Sequence, residues 1–86
     1  MKKKEEKTDM SEFTLIVGKR IRKARKAKNL TLEELAERCG LHPAYIGQLE
    51  RGVKNASLYT LEKIACALEL SLTDLVGNSD IVTETA

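Results

Sequence analysis

Catalysis has little to work with in this sequence. It holds one histidine, His42, and two cysteines, Cys39 and Cys66. Two isolated cysteines and a single histidine make neither a zinc-ligand pattern nor a disulfide framework. Metal and cofactor are therefore not expected. Glu33, Glu34 and Glu37 cluster, but at helical spacing they form a solvated face rather than an acid–base pair. Neither a glycine-rich phosphate loop nor a Ser-His-Asp set can be assembled, so the chain does not read as an enzyme. The remaining polar chemistry suits recognition. Residues 1–30 carry 11 Lys/Arg against 4 Asp/Glu, while residues 31–86 carry 4 against 9. Between Lys19 and Lys28 there are seven basic residues and no acid. Such asymmetry implies one positive surface suited to a polyanion, the alternative being a solvated helix face.

The segment Leu30–Gly52 is the one that must position any recognition chemistry. Thr31 with Glu34 forms a T-x-x-E capping box that starts a helix, and Leu32, Leu35 and Ala36 give it an apolar face. Gly40 suits the left-handed position just past the end of that helix. His42 precedes Pro43, and proline is favoured at the first position of the next helix. Ile46 and Leu49 face inward, and Gly52 stops the segment. Two short helices joined by a turn of about four residues make a helix-turn-helix, a unit that presents its second helix to the DNA major groove.

Around it, a first helix is predicted from near Ser11 to near Lys28, with Phe13, Val17, Ile21 and Ala24 on the core side. Val53–Ala56 reads as a loop. Ser57 caps a fourth helix running to about Leu68, whose buried stripe is Leu58, Leu61, Ile64, Ala65 and Leu68. Ser71 and Asp74 open a short fifth helix bearing Leu72, Leu75 and Val76, closed by Gly77-Asn78. Aromatics are limited to Phe13, Tyr45 and Tyr59, so the core must be aliphatic, which suits packed helices. The reading is an all-α, compact five-helix bundle of a single domain over residues 11–77, with a flexible charged tail at 1–10 and a C-terminal tail at 78–86. The first tail is open between a basic arm and a solubilising segment, and the second is left unplaced. No run approaches the roughly 20 apolar residues of a membrane span, and no apolar segment follows the charged start MKKKEEK. A cytoplasmic protein with reduced cysteines is expected.

The stretch GLHPAYIGQLERG, followed by NASLYTLEKIACALELSLTDLV, resembles the Cro/phage-repressor-like (XRE-type, lambda-repressor-like) helix-turn-helix family. It is most similar to the controller proteins of restriction-modification systems. The likeness spans residues 15 to 76. It implies a sequence-specific regulator of transcription that binds double-stranded DNA as a homodimer on a palindromic operator. Base reading then falls to His42, Pro43, Ala44, Tyr45 and Gln48, with His42 open to a helix cap or a phosphate instead and Tyr45 to a phosphate or to packing on the preceding helix, and phosphate contact to Arg51, Lys54, Asn55 and Ser57. The resemblance also implies a structural ion pair between Arg25 and Glu50.

Two departures from the family pattern stand out. Pro43 and Ala44 replace long polar side chains and can offer only apolar contact, for instance with a thymine methyl. Leu32 stands where the family carries a glutamine that anchors a phosphate, and leucine cannot do that. Gln48 keeps the capacity to pair bidentately with adenine. One recognition helix reads only half a site, so a self-complementary surface is needed. Leu70, Leu72, Leu75 and Val76 are the predicted dimer contacts, with Ile81 and Val82 beyond them. No membrane or small-molecule partner is expected. Two other readings stay open: a different small repressor or a toxin–antitoxin antitoxin, and an interaction adaptor that uses the same fold without reading DNA. The weak base-reading end at Pro43-Ala44 favours the adaptor, whereas the basic run and the N-A-S-L segment favour DNA.

Overall fold

The computed structural model describes the backbone of residues 2–77 and the side chains of residues 12–77. The C-terminal tail, with Ile81 and Val82, lies outside the described residues. Five helices follow in order: α1 (Lys2–Ala27), α2 (Leu32–Cys39), α3 (Pro43–Glu50), α4 (Leu58–Ala67) and α5 (Leu72–Val76). No strand occurs among the described residues. α3 packs against α1 and α2, while α4 packs against α2 and α5, and α5 returns to α1. No helix of the described residues is long and apolar enough to cross a membrane.

Local signals set most boundaries. At α2 the Thr31 hydroxyl accepts from the Glu34 N–H at 3.0 Å, and the Glu34 carboxylate accepts from the Thr31 N–H at 2.9 Å. Ser71 and Asp74 make the same reciprocal box at the start of α5. α2 ends with Gly40 at φ 71°, and Leu41 N–H bonds back to the Ala36 carbonyl at 2.9 Å. That is a Schellman ending, which satisfies carbonyls the helix would otherwise leave unpaired. α3 ends the same way through Gly52 at φ 76° and the bond from Val53 N–H to the Gln48 carbonyl. α1 and α4 close on Asn29 and Glu69, both at positive φ without being glycine.

The core is aliphatic. Ile21, Leu35, Ile46, Ile64, Leu68 and Leu75 are its largest fully enclosed side chains. Cys39 joins them, and burial pushes its thiol pKa up, because a thiolate there would lose its hydration.

Four expectations need correction. α1 begins at Lys2 rather than near Ser11, so the backbone of residues 2–10 continues the helix. Lys, Glu and Met are strong helix formers, and extending an existing helix needs no new nucleus. Phe13 is 41% exposed and Leu58 67% exposed. Both have helical spacing for the core stripe but occupy its outer turns, where the facing elements cover them only in part. The last correction concerns Leu75. It is wholly buried within its own chain, so a second chain cannot touch it directly.

Candidate nucleic-acid interface

α3 is braced from behind. A Cβ on Gly18 of α1 would lie 2.7 Å from the Glu50 carbonyl oxygen, and closer still to that of Leu49. Only glycine lets the two helix backbones meet there. Beside this contact Arg25 grips the end of α3. Its Nε donates to Glu50 Oε2 at 2.7 Å and its Nη2 to Oε1 at 2.9 Å, while Nη1 donates to the Leu30 carbonyl at 2.8 Å. Both residues are buried, at 8% and 7% exposure. The bond to Glu50 raises the pKa of the guanidinium against the opposing effect of burial. Among the described residues no buried side-chain nitrogen or oxygen lacks a partner.

With its back fixed, α3 turns a strip outward. Ala44 and Arg51 are exposed and Gln48 is half-buried, and their spacing of four and three residues keeps them on one face. Leu32, Glu33, His42 and Pro43 border the same shallow concavity. His42 holds the backbone position that precedes α3, but its side chain makes no capping bond. Tyr45 falls on the other flank, beside Gly40, Leu41, His42 and Pro43, half-buried against the core. The five expected base readers therefore divide: Ala44 and Gln48 share the strip, Tyr45 stands aside, and His42 and Pro43 border both surfaces.

The phosphate candidates flank the strip in sequence. Arg51, Lys54 and Asn55 are exposed. The Asn55 side-chain oxygen accepts from the Thr14 hydroxyl at 3.0 Å, which leaves its amide nitrogen directed elsewhere. Thr14 was not singled out in the sequence. Its partner is distant along the chain, and nothing local signals the contact. Ser57 accepts from Thr60 N–H at 3.1 Å as the cap of α4 and donates to the Thr60 hydroxyl. Its hydroxyl is thus engaged in the fold.

The basic run is less free than its charge suggests. Arg25 is buried, Lys28 Nζ pairs with Glu69 at 2.8 Å, and Arg20 Nη1 donates to the carbonyls of Leu75 and Gly77. Lys19, Arg22, Lys23 and Lys26 remain exposed. Helical geometry sets them about a quarter turn round from the α3 seam.

Two short helices, a glycine turn between them, and a second helix held from behind with its outer face open define a helix-turn-helix domain. The chain belongs to the helix-turn-helix family HTH_3, which matches residues 21–75. It is similar to control protein C.BamHI of Bacillus amyloliquefaciens, with 43% identity over 72 residues, covering 83% of this chain and 89% of that one. It is 39% identical over 70 residues to the immunity repressor protein of Bacillus phage phi105; that covers 81% of this chain but 49% of the repressor, so the chain spans about half of that relative. The solved restriction-modification controller protein C.AhdI from Aeromonas hydrophila superposes with a TM-score of 0.71 at 40% identity, covering 72% of this chain and 94% of that one. SinR, a master regulator for biofilm formation solved in complex with DNA, gives 0.66 at 38% identity, covering 69% of this chain and 95% of that chain.

Proposed function

We propose that the protein is a sequence-specific regulator of transcription that binds double-stranded DNA as a homodimer and controls a restriction-modification operon. The observation that carries the DNA reading is the strip Ala44–Gln48–Arg51. It projects from a helix that Arg25, Glu50 and Gly18 hold in a fixed register. The likeness to C.BamHI and C.AhdI over most of both chains supports the narrower role. Gln48 reads a base edge, and Arg51, Lys54 and Asn55 fix the domain on the backbone. The dimer forms through the flanks of α5, where Leu70, Leu72 and Val76 are half-buried around the enclosed Leu75. Two such domains place their recognition helices about one helical turn of DNA apart, roughly 34–36 Å.

A mobility-shift titration with the duplex upstream of the protein's own gene, against a scrambled duplex, tests this reading. The expected result is tight, selective binding, with log K falling against log salt at a slope of about −0.9 per phosphate contact. Gln48→Ala should weaken the selected duplex by about 1–3 kcal/mol and leave the scrambled one alone. Lys54→Ala should weaken both alike. Equal affinity for both duplexes together with a flat salt slope would overturn the proposal in favour of an interaction adaptor.

A further inference from the structure

The concavity along the outer face of α3 mixes polar side chains, among them Glu33, His42, Gln48 and Arg51, with an apolar group. Leu32, Pro43 and Ala44 border it beside Gln48 and Arg51. Leu32 and Pro43 are half-buried and Ala44 is exposed. Gly47 lies between Leu32 and Arg51 in this concavity. A Cβ there would lie at ordinary contact distance from both, 3.6 Å from Leu32 Cδ1 and 3.5 Å from Arg51 Nη1, so the two side chains close over the α3 backbone at that point. The three side chains offer no hydrogen bond, since none of them has a polar atom, and Pro43 also lacks an N–H.

A base edge set against such a wall loses water without gaining a partner, which penalises every polar edge. One feature of the major groove escapes that penalty, the C5-methyl group of a pyrimidine. Glu33 borders the same concavity, and a carboxylate beside a phosphate would be repelled. This edge of the domain therefore fits the groove floor better than the backbone.

Building on the DNA reading above, we infer that Leu32, together with Pro43 and Ala44, is a specificity element that reads the C5-methyl group of a pyrimidine. Thymine and 5-methylcytosine present that group at the same place in the groove. A duplex bearing it is bound more tightly than one with hydrogen there, and Leu32 sets much of the difference.

The test starts from the duplex that the protein enriches out of a random-sequence pool. Each thymine is replaced in turn by deoxyuridine, which removes only the methyl group. In a second arm each cytosine is replaced by 5-methylcytosine, which adds only that group. At one or two positions per half-site, one arm should change affinity by about four-fold, the ratio expected for burying one methyl-sized group. A loss with deoxyuridine identifies thymine as the natural source, and a gain with 5-methylcytosine identifies a methylation-sensitive site. Leu32→Met should keep the discrimination. Leu32→Gln should remove most of it while the unmodified duplex is still preferred over a scrambled one, with folding checked by the helical circular dichroism of both variants. If neither arm changes affinity by more than two-fold while the enriched duplex is still selected, the methyl reading is wrong and the DNA reading stands. If no sequence is enriched, the DNA reading fails, and this inference with it.

Discussion

The seam behind α3 and the end built on α5 are both fastened to α1 by an arginine, with different shares of buried charge and apolar packing. Behind α3 the fastening is directional. Backbone meets backbone at Gly18, and one guanidinium bonds both carboxylate oxygens of Glu50 as well as the Leu30 carbonyl. At α5 a five-residue helix buries one side chain, Leu75, and Arg20 holds its carbonyl end. Around Leu75 the apolar surface is only half covered, at Leu70, Leu72 and Val76. Directional bonds fix a register, which a helix presenting side chains to base edges needs. Apolar packing has no direction and can be completed by another surface. The contrast fits the division of labour proposed above, with recognition at α3 and self-association at α5.

The strongest attack on this contrast is to remove one partner of the brace. Glu50→Ala leaves the buried Arg25 without its counter-charge and should cost about 3–5 kcal/mol in urea unfolding. Replacing both residues by apolar ones of similar volume should cost far less, because the desolvation penalty disappears with the charges. A double-mutant cycle should give a coupling well above about 0.5 kcal/mol. The sign of the pH dependence follows from the raised arginine pKa. The stabilising share of Arg25 is complete below the ordinary arginine value and is lost only as pH climbs through the higher folded value. Absence of coupling between positions 25 and 50 would mean that packing, and not the charge pair, holds α3.

At the other end the two neighbours Leu75 and Val76 should part company. Leu75→Asp places a carboxylate in a fully enclosed site and should unfold the domain. Val76→Asp falls on a half-covered surface. It should leave helical circular dichroism intact, yield a monomer by sedimentation and weaken operator binding at least ten-fold. Should Val76→Asp remain dimeric, the two-fold contact must be sought elsewhere, and exposed Leu58 and Tyr59 on α4 become the surface to examine.

Features whose cause lies within one turn of chain were legible in the sequence. Thr31 with Glu34, Gly40 with Ala36 and Glu37, and Ser71 with Asp74 each complete a hydrogen-bond requirement three or four positions away, and Pro43 acts through its own fixed φ. The Arg25–Glu50 pair was reached only through family resemblance, since nothing local links those positions. Gly18, the Thr14–Asn55 bond and the hold of Arg20 on α5 went unseen for the same reason. Each joins residues far apart in sequence, and none belongs to a motif. The stripes containing Phe13 and Leu58 were over-extended. Periodicity tells which face an apolar residue shares, not how far the opposing element reaches to cover it. Seven basic residues looked like one phosphate-facing surface, but a sequence does not reveal that three of them already bind this chain's own carboxylates and carbonyls.

The smallest effect should come from the second ion pair, and it sharpens the comparison most finely. Lys28 and Glu69 carry the same chemistry as the brace, at 2.8 Å, but the Glu69 side chain is 74% exposed. Its carboxyl is held below the usual range, chiefly by the hydrogen bond from Lys28 and then by that lysine's charge. A depressed carboxyl pKa contributes stability above the ordinary 4.5, and that contribution is lost as pH falls through the folded value. Solvent and salt screen an exposed pair, so the contribution should fade in about 0.5 M salt. Glu69 also sits at φ 62°, a conformation that glycine adopts without the steric cost of a Cβ. In Glu69→Gly, relief of that cost opposes loss of the pair. The thermal midpoint at pH 7 should therefore move by no more than about 1–2 °C, and the wild type's extra sensitivity to acid should be gone. If this variant instead loses as much stability as Glu50→Ala, bond geometry and not burial sets the worth of an ion pair in this fold, and the distinction drawn between its two regions fails.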